Sequence, residues 1–156
     1  MNAHSPLRIA VRGVGVIAEG LPDWTRARAW LRGGASWQAA PLVTPTPEIL
    51  PPNERRRAVG VIRLALDCAQ QAVLDSGLNA AELHSVFATA DADGDNTHAI
   101  CEALCATRPA LSPTRFHNSV QNAVSGYWSI ATKARGPTTT MTSSGPTSIS
   151  WIRKGR

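Results

Sequence analysis

Long apolar runs are missing from this sequence, and so is a basic-then-apolar layout at its start, which reads M-N-A-H-S-P-L-R. No stretch approaches the ~20 apolar residues that a membrane-spanning helix needs. Without a signal-type leader the expected location is the cytoplasm, and no membrane partner is expected. Cysteine is scarce: Cys68, Cys101 and Cys105 are odd in number and at none of the spacings of a disulfide framework. Each falls in an expected helix and reads as a small buried apolar residue. Aromatic side chains are also few, at 5% of the chain. The arginine clusters are therefore not interleaved with the rings that line nucleic-acid grooves, and no nucleic-acid partner is expected.

What is present is an ordinary globular balance. Hydrophobic residues make up 43% and charged residues 17% of 156 residues, enough for one domain with a real core. The formal charge is +5, and Arg153, Lys154 and Arg156 near the end supply three of the five. Arg26, Arg28 and Arg32 form a second cluster and Arg55, Arg56 and Arg57 a third. These read as solvated helix faces, or as patches that steer an acidic partner.

Leu7 to Ala18 alternates apolar and other residues and reads as a first strand. Gly13 and Gly15 form a G-x-G with no third glycine opening a helix, so the dinucleotide fingerprint fails and the glycines read as sites of close strand packing or a bulge. Pro22-Asp23-Trp24 starts a short helix through Trp30 and Leu31, with both tryptophans expected at the core edge. Five prolines between Ala35 and Pro52 make that segment an extended surface loop. Asn53 is expected to cap a long helix whose Val59, Ile62, Leu66, Ala69 and Val73 recur at helical spacing until Ser76-Gly77. Leu83 to Ala90 reads as a buried strand, and Asp91 to Asn96 turns it into a helix over His98 to Thr107. Strands alternating with helices in this order argue an α/β layer fold, with helices packed on a mixed sheet.

Two local clusters invite a metal. Asp91, Asp93 and Asp95 alternate, and Glu102 stands where the twelfth residue of a calcium loop would. Asn96 occupies the position that needs glycine, however, and a strand precedes the loop. The alternative is a strand-to-helix turn in which Asp95 and Asn96 cap the helix. His98, Cys101 and Cys105 share one helix face, but zinc seldom takes all its ligands from one helix, and a half-buried face is the expectation. No metal and no cofactor is expected on either count.

The stretch from Ser112 to Ser144 carries the most information. Pro113 excludes helix just before it, and Phe116, Val120, Ala123, Val124, Tyr127 and Ile130 then recur at helical spacing, predicting one helix from Phe116 to Thr132. Gly136-Pro137 breaks it, and the β-branched run Thr138 to Thr142 suits a strand buried between layers. His117 and Ser119 invite a dyad, but neighbours on a helix point apart. Asn118, Ser119 and Asn122 are read instead as capping and interface residues.

The order F-H-N-S-V-x-N-A-x-S-G-Y-W-S-I-A followed by G-P-T-T-T resembles the N-terminal region of β-ketoacyl synthases. It is most similar to the short, chain-length-factor-like proteins of aryl-polyene and related pigment pathways. The resemblance implies part of a thiolase-like half fold. It places Phe116, His117, Asn118, Ser119, Asn122, Gly126, Tyr127, Trp128, Gly136 and Pro137 at a subunit interface. Catalytic relatives follow the strand with a cysteine that takes the acyl chain from acyl carrier protein. Here that register reads Met141-Thr142-Ser143-Ser144, with no cysteine, and no catalytic residue is assigned. The expected role is therefore a noncatalytic subunit of fatty-acid, polyketide or aryl-polyene assembly. It would pair with an active ketosynthase or with itself and meet acyl carrier protein. The alternatives are an acyltransferase or hydrolase using Ser143 or Ser144, and a small calcium-binding module. Residues 1–143 read as a partial ketosynthase-like domain and 144–156 as a divergent basic tail, the pattern of a truncated or frame-shifted product.

Overall fold

Asp23 begins the first regular element by accepting the Arg26 amide at 2.8 Å, and α1 (Trp24–Leu31) runs to the Gly33-Gly34 stop. The structure, a computed structural model, describes residues 9–90, 93–142 and 151–154. Trp24 is half-buried as expected for a core edge, but Trp30 faces solvent. The proline-rich connection carries neither helix nor strand.

The expected long helix from Asn53 is two helices, α2 (Pro52–Arg57) and α3 (Gly60–Ser76). The chain leaves helical geometry at Ala58 and Val59, where ψ is 122° and 171°. Asn53 lies inside α2 and caps nothing; Pro52 starts α2 because a helix's first turn has no use for its missing N–H. The freed carbonyls at the break are not wasted: Arg63 Nε donates to Ala58 O at 2.7 Å and Asn118 Nδ2 to Arg57 O at 2.7 Å. Beyond it, Ile62, Leu66, Ala69 and Val73 are buried at the predicted spacing, and Gly77 ends α3 at φ 65°. A 3₁₀ turn at Ala80–Glu82 leads into β1 (Leu83–Thr89), whose Leu83, Ser85 and Phe87 point inward.

α4 (Gly94–Cys105) is capped by Asp93, not by the expected Asp95 or Asn96; Asp93 Oδ1 accepts the Asn96 amide at 3.0 Å. The single helix predicted for Phe116 to Thr132 is also split, into α5 (Pro113–Ser119) and α6 (Ala123–Thr132). Pro113 opens α5 at its first position, and the residues just before it are not helical, as its ring dictates; the helix starts three residues earlier than Phe116. The break at Val120 rotates the apolar register: Phe116 is 60% exposed, and Val120 and Ile130 also face solvent. Tyr127 and Trp128, with Ala123 and Ser125, form the buried face instead.

β2 (Thr138–Thr142) pairs parallel with β1, Ser85 opposite Thr138, and β3 (Trp151–Lys154) pairs antiparallel, Leu83 opposite Lys154. The described sheet has the order β2-β1-β3 and is mixed; α6 packs on it and α3 and α5 pack on α6, so the fold is α/β, as the sequence argued. α6 is the hub. It packs on α3, β1, β2 and α5, and its Trp128 is fully buried with the Phe87 ring edge-on at 6.3 Å.

The first segment departs from expectation. Leu7 and Arg8 lie outside the described residues, and residues 9–17 form no strand; the only bridge here joins Ala18 to Leu21. The segment lies along the outer face of α3, where Val14 N donates to Asp75 Oδ2 at 3.0 Å and Val16 N to Gln71 Oε1 at 3.2 Å. Side chains of a helix thus do what a neighbouring strand was expected to do. The glycines do permit a close approach, but to a helix and not to a strand: a Cβ at Gly13 would collide with the Ala72 carbonyl of α3 and one at Gly15 with the Cys68 carbonyl. Among the described residues no helix is long and apolar enough to cross a membrane.

Candidate functional site

The motif residues converge where α5, α6 and β2 meet. Asn118 is buried and bridges three elements: its Nδ2 donates to Arg57 O of α2, and its Oδ1 accepts the Tyr127 hydroxyl of α6 at 3.1 Å. Burial pushes the Tyr127 phenol above its ordinary range and the Glu54 carboxylate adds to this, with Arg57 partly opposing. Tyr127 therefore stays neutral and donates, which is the state Asn118 Oδ1 requires. The exposed ring of His117 stands edge-on to Tyr127 at 5.8 Å.

A second set of polar contacts ties β2 to this unit. Ser125 Oγ donates to Asn122 O at 2.9 Å and accepts from Thr140 Oγ1 at 3.1 Å. Gln121 Nε2 donates to Thr142 Oγ1 at 2.6 Å, and Ser85 Oγ to Thr138 Oγ1 at 2.8 Å. Ser125, Thr140, Gln121 and Ser85 were not singled out from the sequence. The available signal was Ser125, three residues before Trp128 and so on the same helix face.

The remaining motif positions separate into two groups. Phe116, Ser119, Asn122, Gly126 and Pro137 are exposed, and space around Gly126 is open. Gly136 is held close to β1: an added Cβ would sit 2.9 Å from His84 Cδ2. Asn122 takes the N-cap position of α6 without a side-chain cap bond, and Ser119 Oγ donates to Phe116 O at 2.8 Å. With the Ser119 hydroxyl used locally and the His117 ring against Tyr127, no Ser-His dyad forms. β2 was expected between layers, yet only Thr140 is half-buried and the other four residues are exposed. It is an edge strand, with β1 on one side and no described neighbour on the other.

None of the three thiols lies on β2. Cys68 is half-buried on α3, its Sγ donating to Gly15 O at 3.0 Å; burial first, then the Asp67 carboxylate, raises its pKa and keeps it protonated. Cys101 and Cys105, read as buried, are exposed on α4. Ser143 and Ser144 lie outside the described residues.

The calcium-type loop does not assemble among the described residues. Asp91 lies outside them, Asp93 is used as a cap, and Glu102 pairs with His98 at 3.4 Å. No group of three or more His, Cys, Asp or Glu among the described residues could hold a metal. An open cleft of about 460 Å³ lies between the starts of α3 and α4, lined by Val59, Val61, Leu64, Asp93, Asp95 and Arg115 among others, with no thiol or imidazole in its wall.

The comparisons agree with the residue pattern. The family model described as beta-ketoacyl synthase, N-terminal domain, matches residues 27–149. No curated protein matches the chain.

Proposed function

Because the chain belongs to the β-ketoacyl synthase N-terminal domain family, we propose that it is a noncatalytic, chain-length-factor-like subunit that pairs with an active ketosynthase. The observation that carries this reading is an interface-like edge without a nucleophile. β2 presents an open strand edge, and Phe116, Val120 and Met141 are exposed apolar side chains on α5, after it, and on β2. Strand edges recruit other strands, and a partner subunit covering this edge would bury those residues too.

Condensation by this family's chemistry needs a thiolate to carry the acyl group and donors to stabilise the developing enolate. The register after β2 supplies Ser143 and Ser144 instead of cysteine. Cys68 is protonated beneath Gly15, and Cys101 and Cys105 face outward from α4. Such a subunit contributes shape, not bond making: it walls the tunnel in which a partner's acyl chain grows. The growing chain would belong to fatty-acid, polyketide or aryl-polyene assembly in the cytoplasm. Acyl carrier protein is the acidic partner that the exposed Arg28 and Arg32 of the α1 region would steer.

Coexpression with a candidate ketosynthase, followed by native mass measurement and product analysis, tests this. A stable heterodimer with altered product length is expected. A chain that stays unassociated with every candidate, or one that becomes covalently acylated from radiolabelled acyl carrier protein, would overturn the proposal.

A further inference from the structure

Cys101 and Cys105 take no part in the proposed subunit role, yet the fold presents them together. α4 turns Asn96 to the core and leaves Ala99, Ile100 and Ala103 half-buried. With about 3.6 residues per turn, the opposite stripe carries His98, Cys101, Glu102 and Cys105. All four are exposed, and His98 Nε2 lies 3.4 Å from Glu102 Oε1. Cys105 is the last residue of α4, and Ala106 after it is extended, so the end of this stripe has room to adjust.

Helix geometry selects what two such thiols can share. Residues four apart hold their Cβ atoms about 5–6 Å from each other, whereas a disulfide needs about 3.5–4.5 Å. A direct sulfur–sulfur bond is therefore disfavoured on an intact α4, and one interposed atom closes the gap. Zinc asks for about four donors in a tetrahedral shell, and the described residues gather no group of that kind here. A soft cation that accepts few ligands and prefers thiolate is the remaining match.

We propose that Cys101 and Cys105 form a dithiolate clamp for a soft, low-coordinate cation of the copper(I) class. Binding forms two sulfur–copper bonds and releases one proton from each thiol, and the metal remains Cu(I), so no electron is transferred. Glu102 beside the clamp adds negative potential that favours the cation.

The test is an anaerobic titration of the full chain with Cu(I) against a chromogenic Cu(I) chelator. One equivalent should be withdrawn per chain. Cys101→Ser and Cys105→Ser should each weaken binding by at least about a hundredfold, since losing even an outer-shell partner costs roughly 10–100-fold. Cys68→Ser should bind as the parent does, and helical circular dichroism should be the same in all four proteins. The proposal is overturned if the parent withdraws no copper, if the C101S/C105S double variant competes as well as the parent, or if the product is a Cys101–Cys105 disulfide lacking metal.

Discussion

The α3–α6 layer and the α5–β2 edge both carry large apolar side chains, but they use them in opposite ways. In the first, Ile62, Leu66, Tyr127 and Trp128 are buried against Leu50 and Phe87. In the second, Phe116, Val120 and Met141 face solvent while polar groups make the contacts: Asn118 to Arg57 and Tyr127, Ser125 to Thr140, Gln121 to Thr142. Apolar burial is spent inside this chain in one region and left available in the other. The difference teaches that the edge is held in place by hydrogen bonds, so its apolar side chains stay free for another surface.

Breaking the first region should have the largest effect. Trp128→Ala removes the most buried ring of the hub, and a loss of about 3–5 kcal/mol is expected in urea unfolding followed by tryptophan-independent circular dichroism. A loss below about 1 kcal/mol would mean that α6 is not the hub.

Asn118→Ala should follow, at roughly 2–3 kcal/mol, because it takes the partner from the Arg57 carbonyl and from the buried Tyr127 hydroxyl together. Tyr127→Phe should cost less, since it leaves Asn118 with its Arg57 contact, and the double variant should show coupling between the two sites.

Alkaline pH sharpens the comparison further. The Tyr127 pKa is raised from an ordinary 10.0 in the folded state, so its contribution to stability is complete below about pH 10 and declines as pH rises through the folded value. Cys68, raised from 9.0, adds a decline that begins lower. Unfolding free energy measured from pH 8 to 11 should fall, and Tyr127→Phe should remove the upper part of the fall. An unchanged slope in that variant would contradict the assignment.

The smallest effect on the chain itself is expected from Phe116→Ser, within about 0.5 kcal/mol, as for other exposed positions. The same substitution should weaken association with a ketosynthase measurably. If it destabilises the isolated chain instead, Phe116 belongs to the core and the contrast between the two regions disappears.

The sequence made the core legible where one period ran uninterrupted. Ile62, Leu66, Ala69 and Val73, the start of α1 at Trp24, the existence of β1 and the β2 boundaries all follow from local pattern. It misled where the period crossed a break. Val59 and Val120 continue the helical rhythm on paper, but each has extended backbone, with ψ at 171° and 139°, so α3 and α6 start later than the rhythm suggests. The first segment misled for another reason: alternation signals an extended chain, and extended it is, but alternation cannot say whether a strand or a helix lies alongside. At the candidate site the motif residues were visible, while the Ser125–Thr140 and Asn118–Arg57 ties depend on chain segments brought together only by folding.

The way residues 9–17 rest on α3 carries one more consequence. Held by Asp75, Gln71 and the Cys68 thiol and not by a ladder of strand bonds, this ribbon can peel away without opening the sheet. Alkylation of Cys68 should therefore report separation of the ribbon from α3, and should lag behind that of the exposed Cys101 and Cys105.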